Sequence, residues 1–198
     1  MSNTLITELV CTRLSHDTIG TVGALANVVE LLEEGDLDDI DNITSILKAG
    51  SQTLTARLKF FRMAFGLNNA NLEDENLVRH IAADYLKTIG NKDFPIIPEW
   101  TPIAADKRKQ ALLLVMLVAD ILIRGGVLKI YEISGGLAAE ISATAKISAP
   151  KLAQTEQALA DGKIPADATL APLAVLTDQN ILNLSKTDNA IVFTLRSK

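Results

Sequence analysis

Apolar residues recur every three, four or seven positions through the first 65 residues, a spacing that places them on one face of an α-helix. This pattern predicts two long helices, from Thr4 to Glu34 and from Leu37 to Phe65, separated by a short turn at Gly35-Asp36. The first helix carries its stripe at Ile6, Val10, Leu14, Thr21, Leu25, Val28 and Leu32. The second carries its stripe at Ile40, Ile43, Leu47, Gly50, Leu54, Leu58, Phe61 and Phe65. So short a connection predicts an antiparallel helical hairpin.

A single hairpin of this length cannot bury its own apolar stripe. Two copies that form a four-helix bundle would bury it, so we expect a homodimer. The alternative is that the second half of the same chain covers the stripe.

The second half of the chain carries mixed signals. All six prolines lie at or after Pro95, and the segment Phe94–Pro102 is expected to be an extended connection. Helices are predicted over Leu72–Thr88, Ala105–Ile123 (ended by Gly125-Gly126), Pro150–Ala160 and Leu170–Leu182. Strands are predicted over Val127–Ile133, Leu137–Ile147 (around a Gly135-Gly136 turn) and Ala190–Leu195. The predicted fold class is therefore α+β, with a small sheet backed by helices.

Composition excludes several classes of protein. The 198 residues carry a net charge of −5, which argues against a dedicated nucleic-acid binder. A lone cysteine, Cys11, excludes a disulfide framework and a thiolate metal cluster. The most apolar run, Ala111–Ile123, contains Asp120 and is too short to span a membrane, and the first residues do not resemble a secretory signal. We therefore expect a cytoplasmic protein.

Of the two histidines, His80 is expected to be an ordinary surface residue. His16 lies off the main apolar stripe of the first helix and should point to solvent or to a partner. Its neighbours on that face are Gly20, Gly23 and Asn27, and the two glycines would clear a shallow surface beside the imidazole. The alternative is that the glycines serve close helix packing and the histidine is incidental.

Charge is distributed unevenly along the predicted hairpin. Five polar residues share one exposed face of the second helix: Lys48, Gln52, Thr55, Lys59 and Arg62. Because His16 lies opposite about residue 56, Lys59 and Arg62 fall near its level, where they would attract an acidic, phosphate-bearing partner. The hairpin tip is acidic, with Glu30, Glu33, Glu34, Asp36, Asp38, Asp39 and Asp41. An ordinary solvated helix face is the alternative interpretation of the basic residues.

Other catalytic motifs are absent from the sequence. It has no GxxxxGK[ST] or GxGxxG loop, no serine elbow and no cysteine–histidine pair, and no cluster has metal-ligand spacing.

Two segments of the predicted helices carry specific motifs. The first is LVCTRLSHD, residues 9–17, together with Gly23-Ala24, Asn27 and residues 30–32, and the second is LKFFRMAFG, residues 58–66. They resemble, respectively, the first helix of the ChpT-type histidine phosphotransferases and the signature at the end of that family's second helix. The resemblance implies a dimeric four-helix bundle formed by residues 1–67. Residues 68–198 would then form a degenerate α/β domain similar to a histidine kinase ATP-binding domain.

The function implied by the resemblance is that of a phosphorelay shuttle. A receiver domain of a hybrid kinase would donate a phosphoryl group to His16, and the receiver of a response regulator would then take it. No cofactor is expected on this chain, and Mg²⁺ would be carried by the receiver. Asp17 would orient the imidazole, while Arg13 would help with phosphate charge or dock the receiver. Gly20 replaces the polar residue expected in kinases that are also phosphatases, which puts phosphatase activity in doubt.

The same comparison disfavours ATP as the phosphoryl donor. Val115 and Ala119 stand where working kinases carry asparagines, and Gly135-Gly136 lacks the surrounding Asp-x-Gly-x-Gly box. The first alternative is a non-catalytic dimeric scaffold that docks receivers. The second and less favoured alternative is an ATP-dependent histidine kinase.

Overall fold

The computed structural model describes residues 3–33, 40–67, 70–122, 125–142 and 147–198. These residues form an α+β fold, as predicted. The helices are α1 (Asn3–Glu33), α2 (Ile40–Phe65), α3 (Glu75–Ile89), α4 (Ala105–Ala119), α5 (Ala149–Asp161) and α6 (Ala171–Gln179). The strands are β1 (Ile96–Trp100), β2 (Gly126–Ile133), β3 (Gly136–Ser142), β4 (Asn180–Lys186) and β5 (Ala190–Ser197).

The two long helices of the hairpin pack against each other. They pack tightly at Gly50, where an added Cβ would stand 2.7 Å from a methyl carbon of Leu25. The predicted turn at Gly35-Asp36, and residues 34–39 of the predicted acidic tip, lie outside the described residues. Lys109 of α4 donates a hydrogen bond to the carbonyl oxygen of Gly66, just beyond the end of α2, at 2.7 Å.

The sheet has the strand order β1-β2-β3-β5-β4. β1 pairs with β2 in parallel, and the other neighbouring strands are antiparallel. β2 and β3 form the predicted hairpin. Gly135 occupies the left-handed region at its turn (φ +75°), which glycine adopts without strain.

Two strands were missing from the prediction. The segment Phe94–Pro102 is extended as expected, but it contains β1, whose Pro98 is tolerated because the strand lies at the edge of the sheet. The predicted helix Leu170–Leu182 is too long, since α6 ends at Gln179 and β4 follows. Asn180 ends that helix, adopting an extended backbone while its side-chain amide donates to the carbonyl oxygen of Leu176.

Three other predicted boundaries were wrong. α4 ends at Ala119, not Ile123. Gly125 lies beyond that helix, with its backbone against Phe94 and Pro95, where a Cβ would clash. α3 begins late because the Asp74 side chain caps it at Glu75. β3 ends at Ser142; residues 143–146 of the predicted strand lie outside the described residues.

The hydrophobic core is centred on α4. Every residue from Ala111 to Ala119 is buried, and the helix packs on β2, β3, α2, α3 and α6. The same core includes Leu9 of α1 and Phe60 of α2, so the second half of the chain covers one end of the hairpin. The division into domains of residues 1–67 and 68–198 stays a prediction.

The rest of the hairpin keeps apolar side chains in solvent. They are Ile19, Val22, Val29, Leu31, Ile40, Ile46 and Leu58. The predicted alternative, coverage by the same chain, therefore describes only the end of the hairpin near Leu9 and Phe60. Within the described residues, no helix is long and apolar enough to cross a membrane.

Candidate functional site

His16 lies on α1 with its side chain 75% exposed, as the position off the apolar stripe predicts. Gly20 and Gly23 follow on the same helix, and a Cβ added at either would meet nothing within 4 Å. Asn27 is also exposed. Within this chain, the two glycines thus border open surface beside the imidazole and do not serve helix packing, the role that Gly50 fills.

Asp17 contacts the imidazole directly. Its Oδ1 lies 3.2 Å from Nδ1 of His16, a distance that suits the tautomer in which Nδ1–H donates. The other carboxylate oxygen, Oδ2, accepts a 2.7 Å hydrogen bond from Nε of Arg13. Asp17 therefore engages one ring nitrogen of His16, while Nε2 is the nitrogen it does not contact.

Arg13 differs from its expected role as a partner-binding residue. Its side chain is only 3% exposed, because the second half of the chain packs over this end of α1. The guanidinium donates to Asp17 and, through both terminal nitrogens, to the carboxylate of Asp120. Burial alone would lower the pKa of Arg13, but the hydrogen bond and charge of Asp120 outweigh it and raise the pKa. Arg13 is thus a buried cation inside the chain, out of reach of a docking partner.

Arg57 ties α2 to the same site. Its guanidinium donates to the backbone carbonyl oxygen of Asp17 and to Thr88 of α3. This contact agrees with the predicted register, which placed His16 opposite about residue 56.

Lys59 and Arg62 lie near the level of His16 but on another side of α2. Because α-helical residues advance by about 100° each, Lys59 points roughly 200° away from Arg57. Both cations line a cavity of about 380 Å³ between α2 and α3. His80 lines the same cavity; it is exposed, as predicted, with Nε2 3.2 Å from an oxygen of Asp84.

Asp120 and Arg57 were not singled out from the sequence. Asp120 could have been identified as a single acidic residue at the end of an apolar run, because a carboxylate buried in such a segment needs a charged or hydrogen-bonding partner. In the described part of the chain, no group of three or more His, Cys, Asp or Glu side chains is placed to hold a metal ion.

The chain is similar to known phosphotransferases in sequence and in fold. No protein-family model matches the chain. It is 35% identical over 112 residues to the protein phosphotransferase ChpT of Brucella abortus (strain 2308). That match covers 56% of this chain and 51% of the relative, so the chain spans about half the length of the curated relative it matches.

Solved structures are similar over nearly the whole chain. A bacterial phosphotransferase solved at 1.7 Å superposes with a TM-score of 0.73 over 99% of this chain and 98% of its own, at 21% identity, which shows a shared fold. The histidine kinase AdeS of Acinetobacter baumannii reaches a TM-score of only 0.45 over 92% of this chain and 97% of its own, at 13% identity. The resemblance of this chain to the ChpT-type phosphotransferases is therefore confirmed in sequence over about half of its length, and the chain shares its fold over almost all of its length with a bacterial phosphotransferase.

Proposed function

We propose that the chain is a histidine phosphotransferase of a phosphorelay, which carries a phosphoryl group on His16 between receiver domains. The observation that carries this proposal is an exposed imidazole whose Nδ1 faces a carboxylate anchored in the protein, while Nε2 is directed away from that carboxylate. The similarity to ChpT supports the same reaction class.

The chemistry begins at Nε2. Its lone pair attacks the phosphorus of an aspartyl phosphate on the donor receiver, a P–N bond forms, and the acyl O–P bond breaks to release the aspartate carboxylate. The imidazole keeps its proton on Nδ1 and becomes positively charged, and Asp17 stabilises that charge from 3.2 Å. In the second half-reaction, a carboxylate of the acceptor receiver attacks the phosphorus, and neutral His16 is the leaving group. Mg²⁺ carried by each receiver would neutralise phosphoryl charge.

The surface beside His16 suits the close approach of another protein. Gly20 and Gly23 present no side chains there, and Asn27 offers a polar group farther along α1. Lys59 and Arg62 would attract the acidic surface of a receiver from the side of the cavity between α2 and α3. These residues form the proposed docking surface for receivers.

A homodimer is the proposed assembly. The exposed apolar side chains Ile19, Val22 and Val29 on α1, with Ile46 and Leu58 on α2, are apolar surface that a second hairpin would cover in a four-helix bundle. The hairpin end near Leu9 and Phe60 is already covered by the second half of the chain, so the remaining length is the part open to dimerisation.

A receiver is the proposed phosphoryl donor in preference to ATP. Val115 and Ala119, at the positions that correspond to kinase asparagines, are apolar and fully buried, and so offer no ligand to a nucleotide-bound cation. As a phosphorelay component, the chain is proposed to act in the cytoplasm.

The test uses receiver domains of hybrid kinases phosphorylated with acetyl phosphate. We expect at least one to label wild-type protein and His80→Ala equally, to leave His16→Ala unlabelled, and ATP alone to label none of the three. His80→Ala is a matched control because His80 is also exposed and lies beside a carboxylate. Labelling of His16→Ala, or wild type that binds receivers without being labelled, would overturn the proposal; the second outcome indicates a docking scaffold.

A further inference from the structure

The carboxylate that faces His16 is held from the other half of the chain. Asp120 follows the last residue of α4 and is 107 residues from Arg13 in sequence. Its two oxygens accept hydrogen bonds from both terminal nitrogens of the Arg13 guanidinium, one of them at 3.0 Å. The remaining guanidinium nitrogen, Nε, donates to Asp17. One planar group therefore joins the two carboxylates.

The geometry of a guanidinium makes this connection rigid. Its nitrogens lie in one plane, so fixing the two terminal nitrogens on Asp120 also fixes the direction in which Nε points. Arg13 is 3% exposed, and both carboxylates are 11% exposed, so water has little access to compete for these hydrogen bonds. The position of Asp17 Oδ2 is thus set by Asp120, the residue that directly follows α4.

A buried, neutral aromatic residue also lies beside Arg13. Tyr85 of α3 is fully buried beside Arg13, with its ring stacked on Phe60 at a centroid distance of 3.9 Å. Its hydroxyl oxygen is buried on the side of the Arg13 guanidinium. Burial raises the pKa of Tyr85, which keeps the phenol neutral next to the guanidinium. Among these neighbours, Asp17 and Asp120 carry the negative charges that face Arg13, and Tyr85 does not.

We propose that Asp120 is a positioning residue for phosphotransfer: acting through Arg13, it fixes the Asp17 carboxylate so that Nδ1–H of His16 is held and Nε2 is presented as the nucleophile. The reactivity of His16 then depends on the docking of the end of α4 against α1. The kinetic part of this inference rests on the proposed function, whereas the orientation of the imidazole does not.

The first measurement is the tautomer of His16 by ¹⁵N NMR on the full chain, which contains only two histidines. Wild type is expected to hold the Nδ1–H tautomer. Asp120→Asn, which preserves shape and removes charge, should give a mixture of the two neutral tautomers, and Asp120→Glu should restore part of the wild-type signal. The His80 signal should be unchanged in all three proteins.

The second measurement is the rate of phosphoryl transfer from a receiver charged with acetyl phosphate. Asp120→Asn should slow transfer roughly tenfold, by analogy with the groups that orient metal-bound histidines, whose removal costs about 10- to 100-fold. Glu75→Gln is the matched control, because it removes a carboxylate partner of buried Arg108 near the start of α4, away from His16. This control should leave both the tautomer and the rate unchanged.

A double variant covers the case in which Asp120→Asn does not fold. Arg13→Met with Asp120→Leu removes both charges together, so neither is left buried without its partner. A folded double variant with mixed tautomers supports the inference, and one with the wild-type tautomer overturns it. If no receiver labels wild type, the proposed function fails but the NMR result still decides the orientation. If Asp120→Asn transfers phosphoryl groups at the wild-type rate and keeps the wild-type tautomer of His16, the inference about Asp120 is overturned and the proposed function still stands.

Discussion

His16 and His80 are two exposed imidazoles, each 3.2 Å from a carboxylate oxygen, and they differ in how that carboxylate is held. Asp17 contacts Nδ1 of His16, is 11% exposed and is fixed by buried Arg13. Asp84 contacts Nε2 of His80, is 35% exposed and is shared with the solvent-exposed Lys87.

The comparison shows what an ordinary histidine–carboxylate pair lacks. A pair four residues apart on a helix surface forms readily and contributes little energy. In the His80 pair, the Asp84 carboxylate also contacts Nε2, the ring nitrogen that a phosphoryl-carrying partner would have to reach. At His16 the acid is the next residue in sequence, so its contact with Nδ1 requires a specific rotamer, and Arg13 supplies the anchor for that rotamer.

Replacing the cation that contacts each carboxylate, Arg13 for Asp17 and Lys87 for Asp84, should produce the largest difference in stability between the two sites. Arg13→Ala leaves Asp17 and Asp120 without their shared partner in a nearly buried position, and we expect it to lower the free energy of unfolding by about 3–5 kcal/mol. Lys87→Ala removes an exposed partner of Asp84 and should change stability by less than about 0.5 kcal/mol. Urea denaturation followed by circular dichroism measures both. Equal losses would mean that the Arg13 network is no more than a surface ion pair.

Neutralising the acid of each pair should separate catalysis from stability. In the proposed mechanism Asp17 stabilises the positively charged ring of phosphorylated His16, so Asp17→Asn should slow transfer from a phosphorylated receiver roughly hundredfold. Asp84→Asn should leave transfer unchanged. Single-turnover labelling measures the rates, and circular dichroism confirms that both variants fold. A rate for Asp17→Asn within about twofold of wild type would remove Asp17 from the mechanism.

Part of this site follows from sequence because it depends on one helix or on one short connection. The periodicity of α1 places His16 off the apolar stripe, and the turn position predicted from the sequence places residue 56 opposite it, next to Arg57, which contacts Asp17 in the structure. The two long helices are also predicted from sequence, because apolar residues recur at helical spacing many times along each of them.

The rest depends on contacts distant in sequence. The burial of Arg13 requires the second half of the chain to pack on α1, and its pairing with Asp120 spans 107 residues that no local pattern relates. β4 was missed because Ile181 and Leu182 extend the apolar pattern of α6, while the strand is set by its pairing with β5. Lys59 and Arg62 were placed at the correct level, but on a side of α2 that faces α3.

The residue four positions after each histidine offers the finest comparison, because it is Gly20 in one case and Asp84 in the other. Gly20→Asp should place a carboxylate where Asp84 stands relative to His80, so that it competes for Nε2 and repels the incoming phosphoryl group. We expect transfer to slow about tenfold in single-turnover labelling. Gly20→Ala is the size control: a Cβ there meets open space within the chain, so helix propensity should raise the free energy of unfolding by up to about 1 kcal/mol, and transfer should slow less than in Gly20→Asp because a methyl group adds bulk to the docking surface without a charge. If both variants lost activity equally, the close approach of a partner at position 20 would be the controlling factor, and the occupancy of Nε2 would no longer explain why His16 and His80 differ.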